Sequence, residues 1–207
     1  MTRENIPAPV SYGAPVADLP ADLTPTPGQT IGPFYGYALP YEKGNELVHP
    51  GHPQAVHLSG TIYDGAGDTV PDFMVEIWQA DAQGKILEAE GSLVRDGYTF
   101  TGWGRAAVDN LGTYHFTTVN PGPVASGHAP FISMVIFGRG LLNRLFTRIY
   151  LPEDEEALRQ DPLLSSLPEE RRKTLIARRG EDGSLQFDIH LQGENETVFL
   201  AFPGIDA

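Results

Sequence analysis

The sequence contains no cysteine. Disulfides, cysteine–zinc sites and iron–sulfur clusters are therefore excluded as chemistry of this chain. Positive charge is also scarce: 14 Lys and Arg stand against 27 Asp and Glu, a formal net charge of −13. Phosphate backbones call for a basic face and anionic membranes repel an acidic one. Neither nucleic acid nor a membrane is expected as a partner. No apolar run approaches the roughly 18 residues that a spanning helix requires. Residues Met1 to Pro7 lack a signal peptide's apolar core, so a cytoplasmic location is expected. Also missing are the Gly-x-Ser-x-Gly elbow, the phosphate loop and the His-Glu-x-x-His zinc motif.

What is present is turn-rich and apolar. Among 207 residues, 23 are Gly and 18 Pro, yet 41% are hydrophobic, too many for a disordered chain. Residues 1–28 are rich in Pro and Ala without periodicity, and read as an extended N-terminal arm. The remainder, 29–207, reads as one domain. Val56–Tyr63 alternates as a half-buried strand does, and Phe73–Trp78 places Glu76 and Trp78 opposite Phe73, Val75 and Ile77. Further strands are expected at Arg105–Val108, Tyr114–Thr118, 131–137 and 145–151. Phe187–Leu191 and Thr197–Phe202 are expected to close the chain as a hairpin. Helices are expected from Pro152 to Arg159 and from Pro168 to Gly180, each opening on Pro and acids. The fold class is thus mainly β: an antiparallel β-sandwich core with long loops and two short helices.

Candidate chemistry is sparse. The six histidines make no His-x-His pair, and His49 and His52 sit in a His-Pro-Gly-His loop with no third ligand nearby in sequence. Gly28 to Tyr37 combines a turn fixed by Gly and Pro with Phe34, Tyr35 and Tyr37: its glycines allow close approach of a ligand or partner, while an aromatic cluster would normally pack onto a core. Arg139 is the best polar candidate. Bracketed by Gly138 and Gly140 after an apolar strand, it is placed either to clamp a carboxylate or to face solvent. Arg148, between Thr147 and Ile149, could be a buried ion-pair partner or lie on the surface.

From Thr26 to Phe202 the motifs resemble those of the intradiol ring-cleavage dioxygenases. The carriers are Thr26–Phe34, Val75–Gly84, Gly102–Arg105, Ile136–Gly140, Thr147–Tyr150, Phe187–Ile189 and Gln192–Phe199. The resemblance implies a β-sandwich and a ferric ion held by two Tyr and two His. The matching positions here are Ile86, Val124, Phe131 and Ser133. None of these side chains can hold ferric ion. The likeness is greatest to the alpha-type chain of two-chain members, which implies that a homologous beta chain carries the Fe(3+). It further implies a higher-order alpha–beta hetero-oligomer with its active site at the interface, lined from this side by Thr30, Gly32, Pro33 and Arg139. Phe34 stands where such chains usually carry Tyr, so the ring is kept without its hydroxyl. The implied reaction opens protocatechuate between its hydroxyls, with both atoms of O2 entering 3-carboxy-cis,cis-muconate. The ferric ion makes the bound catecholate reactive to O2. Two other readings stand beside this one: a metal-free binding or structural paralogue, and a homomeric metalloenzyme using His49, His52 and a strand His.

Overall fold

A computed structural model describes residues 29–87, 96 and 98–202. The arm expected over 1–28 lies outside the described residues. Among those described, two sheets face each other. One contains β1 (Val56–Tyr63), β4 (Thr113–Thr118), β7 (Arg178–Arg179), β8 (Leu185–Gln186) and β9 (Ile189–His190). The other runs in the order β3 (Trp103–Ala107), β2 (Phe73–Gln79), β5 (Phe131–Gly138) and β6 (Leu145–Tyr150), all antiparallel.

Side-chain alternation builds the core between the sheets. β1 sends Leu58, Gly60 and Ile62 inward; β5 does the same with Ile132, Met134 and Ile136. Tyr114, Phe116, Val75, Ile77 and Ile149 join them, all essentially without solvent contact. Each such side chain contributes roughly 1.5–3 kcal/mol through removal from water. Gln79 is a polar tie inside this core. Its amide donates to Val119 O at 2.8 Å, and its carbonyl accepts from Thr118 Oγ1 at 2.7 Å, joining β2 to the end of β4. A buried amide satisfied in this way locks one register at little desolvation cost.

The mainly β sandwich class holds, and four details of it need correction. Four short helices are described where two were expected: α1 (Tyr35–Ala38), α2 (Glu155–Gln160), α3 (Pro162–Ser165) and α4 (Glu169–Lys173). The helix expected to run from Pro168 to Gly180 stops at Lys173, because tertiary pairing claims the backbone beyond it. Leu175 O accepts from Tyr150 N, and Ala177 N donates to Tyr150 O. Arg178 and Arg179 then extend into β7. The closing hairpin forms only at its base, where Thr197 N donates to His190 O at 2.9 Å: β9 runs parallel to β1, and further on Leu200 N donates to Phe146 O, with Phe202 edge-on to Phe146 at 5.2 Å. β8 is likewise parallel to β1, so the first sheet is mixed rather than purely antiparallel. Among the described residues no helix is long and apolar enough to cross a membrane.

Candidate functional site

Two neighbourhoods contain the residues singled out above. The first is a corner where the chain after the arm meets the end of β5 and the start of β2. Gly140, at φ +97°, turns the chain out of β5 and donates its N–H to Thr30 Oγ1 at 2.8 Å. Tyr35 reaches back from α1 and donates its hydroxyl to Asp72 O. Arg139 N also donates to Asp72 O, at 3.3 Å. Burial, then the nearby Asp72 carboxylate, pushes the Tyr35 phenol up to about 12. The Arg139 guanidinium stays 58% exposed and approaches Asp72 Oδ2 at 3.6 Å. Thr30 and Arg139 are thus brought together through Gly140. Gly32 and Pro33 are exposed beside them in the chain. Of the aromatic cluster, Tyr35 docks, whereas Phe34 and Tyr37 stand 77% and 87% exposed, so the packing expectation fails for both. α1 is a single turn and cannot bury three rings at once.

The second neighbourhood is the outward face of the β3-β2-β5-β6 sheet, where Ser133 pairs in register with Trp78 on one side and Arg148 on the other. The Arg148 guanidinium lies 4.0 Å from the centre of the Phe131 ring. Its Nη1 donates to Tyr150 Oη at 3.3 Å, and that hydroxyl donates to Asp161 Oδ1 at 2.9 Å. Asp161 is wholly buried; it also accepts from Leu163 N and Leu164 N, capping α3, and from Ala129 N. Burial pushes the Tyr150 phenol up to about 12, while its bond from Arg148 pulls the other way. At one end of this face, Gly122 N donates to Asp81 O, joining the Asp81–Gly84 turn to the Asn120–Val124 turn. Gly84 has φ +80°, and a Cβ there would meet Pro123 O, so glycine is required twice over.

A family model described as Dioxygenase matches residues 30–193. The chain is a member of this dioxygenase family. The protocatechuate 3,4-dioxygenase alpha chain of Pseudomonas putida is 38% identical over 205 residues, covering 89% of this chain and all of the relative. The alpha chain of the same enzyme from Burkholderia cepacia is 35% identical, covering 86% of this chain and 98% of that one. The Burkholderia cepacia beta chain is 31% identical, over 80% and 78% respectively. Among solved structures, hydroxyquinol 1,2-dioxygenase from Pseudomonas putida DLL-E4 matches at TM-score 0.53 and 16% identity. It covers 80% of this chain and 65% of that one, a likeness of fold.

Intradiol dioxygenases depend on ferric iron, and the four residues that the resemblance matches to its ligands do not fit it. Ile86 and Val124 are exposed apolar side chains without a donor atom. Phe131 has none either, and a guanidinium stacked on its ring puts positive charge beside Ser133, the remaining position. A metal cation would be repelled where the family needs an attractive cradle. Among the described residues no group of three or more His, Cys, Asp or Glu could hold a metal ion. His49 and His52 serve their own loop, since each Nδ1 accepts a backbone N–H, from Gly51 and Gln54. Arg105 and Glu76, both in motifs of the resemblance, pair across β2 and β3 at 2.6 Å. Arg105 Nη1 also donates to Leu39 O, tethering the segment after α1 to the sheet. The residues that sequence reasoning missed are Asp72 and Tyr35 as anchors of the Arg139 corner. An Asp directly before a strand, tolerant of the left-handed region, was the available signal for the first.

Proposed function

We propose that this chain is the alpha subunit of a protocatechuate 3,4-dioxygenase, working in the cytoplasm with a homologous beta chain that holds the ferric ion. The observation that carries the reading is the near end-to-end likeness to alpha chains in a protein whose ligand positions are Ile86, Val124, Phe131 and Ser133. The chemistry of ring opening then belongs to the partner. This chain's share is to bind and orient the substrate. Arg139 supplies an always-charged planar fork suited to a carboxylate. In a protein of net charge −13, an anionic substrate needs such a local cation.

The arm-side residues support the same reading. A Cβ on Gly32 would meet nothing within 4 Å, so packing within this chain gives no reason for glycine there. Glycine at that position suits close approach by another molecule. Pro33 stiffens the turn, and Phe34 and Tyr37 offer exposed rings for a partner surface. Thr30, by accepting from Gly140 N, holds this segment beside Arg139. Positioning of this kind can supply several kcal/mol of a barrier.

The test is reconstitution. The chain is purified alone and together with the beta chain encoded by the same organism. Expected are no iron and no tyrosinate-to-iron colour in the isolated chain, and both colour and ring cleavage in the pair. Iron colour in the isolated chain would sink the reading. A pair that never associates would instead favour a metal-free structural paralogue.

A further inference from the structure

The corner at Arg139 holds a second charged residue that the substrate-binding role leaves unused. Asp72 has φ 64°, in the left-handed region that Asp and Asn tolerate better than most residues. That conformation turns its carbonyl toward Arg139 N and the Tyr35 hydroxyl, so the backbones of Asp72 and Arg139 are tied side by side. Their side chains are tied far less. The gap from Nη1 to Oδ2 is 3.6 Å, longer than a good hydrogen bond, and both groups are more than half exposed. A fixed backbone with a loose ion pair makes an exchangeable contact.

From this geometry we infer that Asp72 is a specificity-setting counter-charge: it holds Arg139 in the free protein and is displaced by the carboxylate of an incoming aromatic acid. The inference rests on the reading of Arg139 as the carboxylate clamp. A planar carboxylate aligned with the guanidinium fork can form two parallel bonds, where Asp72 makes one long contact. An uncharged ring does not compete with Asp72 for the guanidinium. Asp72 therefore lowers affinity for anionic substrates while leaving uncharged ones alone. It is a positioning residue, acting through Arg139.

The experiment uses the alpha–beta complex with Asp72→Asn, a substitution that keeps the left-handed conformation accessible and removes only charge. Protocatechuate serves as the anionic substrate and catechol as the uncharged competitor. KM for protocatechuate is expected to fall about two- to fivefold, the range of an exposed ion pair. The inhibition constant of catechol is expected to move by less. In the Asp72→Asn/Arg139→Ala double variant, the effect of Asp72→Asn disappears. A rise in KM, or equal shifts for both ligands, would assign Asp72 a structural role and overturn the inference. If Arg139→Ala raises KM while Asp72→Asn does nothing, Asp72 falls and the clamp stands. If Arg139→Ala leaves KM unchanged, the clamp itself fails and Asp72 with it.

Discussion

Two arginines, Arg139 in the turn after β5 and Arg148 on the neighbouring β6, meet opposite fates. Arg148 is spent inside the molecule: it covers Phe131 and donates to Tyr150, which leans on the buried Asp161. Arg139 has its backbone pinned by Asp72 while its guanidinium stays mostly in solvent. A charge held by internal partners stabilises a fold; one with a rigid base and a loose tip is ready for a ligand. On the outward sheet face, Phe131 and its neighbours thus serve the fold. The corner beside it has kept its polarity.

Breaking the structural side gives the largest effect. Asp161→Ala removes a helix cap and leaves the Tyr150 hydroxyl and Ala129 N without their acceptor. A loss of about 3 kcal/mol is expected, read as a lower urea midpoint at unchanged slope. A loss below about 1 kcal/mol would mean that water replaces the carboxylate. The corner should respond in the other currency. Arg139→Ala in the complex is expected to raise KM for protocatechuate about 10- to 100-fold, the scale of a charge-assisted bond, with iron colour intact. Its urea midpoint should barely move, and a large drop would erase the distinction between the two arginines.

A pH titration sharpens the comparison further. Tyr35 and Tyr150 both have phenol values raised from 10.0 to about 12 in the folded protein. The unfolded chain loses those protons near pH 10 and the folded one near 12, so the folded state binds more protons in between. Their stabilising contribution is complete below pH 10 and is lost as pH rises toward 12. Phenolate absorbance should show late-titrating tyrosines, one fewer in Tyr35→Phe. Titration of Tyr35 at the ordinary value would detach it from Asp72. The smallest effect is expected from Arg148→Ala: about 1 kcal/mol for a half-buried cation–ring contact, and still no iron colour. Colour in that variant would show that the guanidinium alone had kept the metal out.

Much was readable in advance for particular residues. The alternation in Val56–Tyr63 and Phe73–Trp78 placed two strands, since period-two burial is a property of the local chain. Arg139 stood out because glycines bracket it at a strand's end. The fate of Pro168–Gly180 was hidden. Its pattern is helical, yet Leu175 and Ala177 gain more by pairing with Tyr150 across the fold. Phe34 and Tyr37 looked like packing residues, and nothing in their spacing shows that only Tyr35 reaches the Asp72 carbonyl.

Composition and motif order alone determined the absence of cysteine chemistry, the acidic balance of charge and the mainly β class, and they set Ile86, Val124, Phe131 and Ser133 where the resemblance expects ligands. These follow from residue type, which no folding event can change. Tertiary structure decided the rest: that Arg148 is occupied and Arg139 available, and that Thr30, Tyr35 and Asp72 converge on Arg139 from separate parts of the chain. Such contacts join residues up to 110 positions apart; the antiparallel pairing of β2 with β5 sets Asp72 beside Arg139, and the segment carrying Thr30 and Tyr35 docks against that edge.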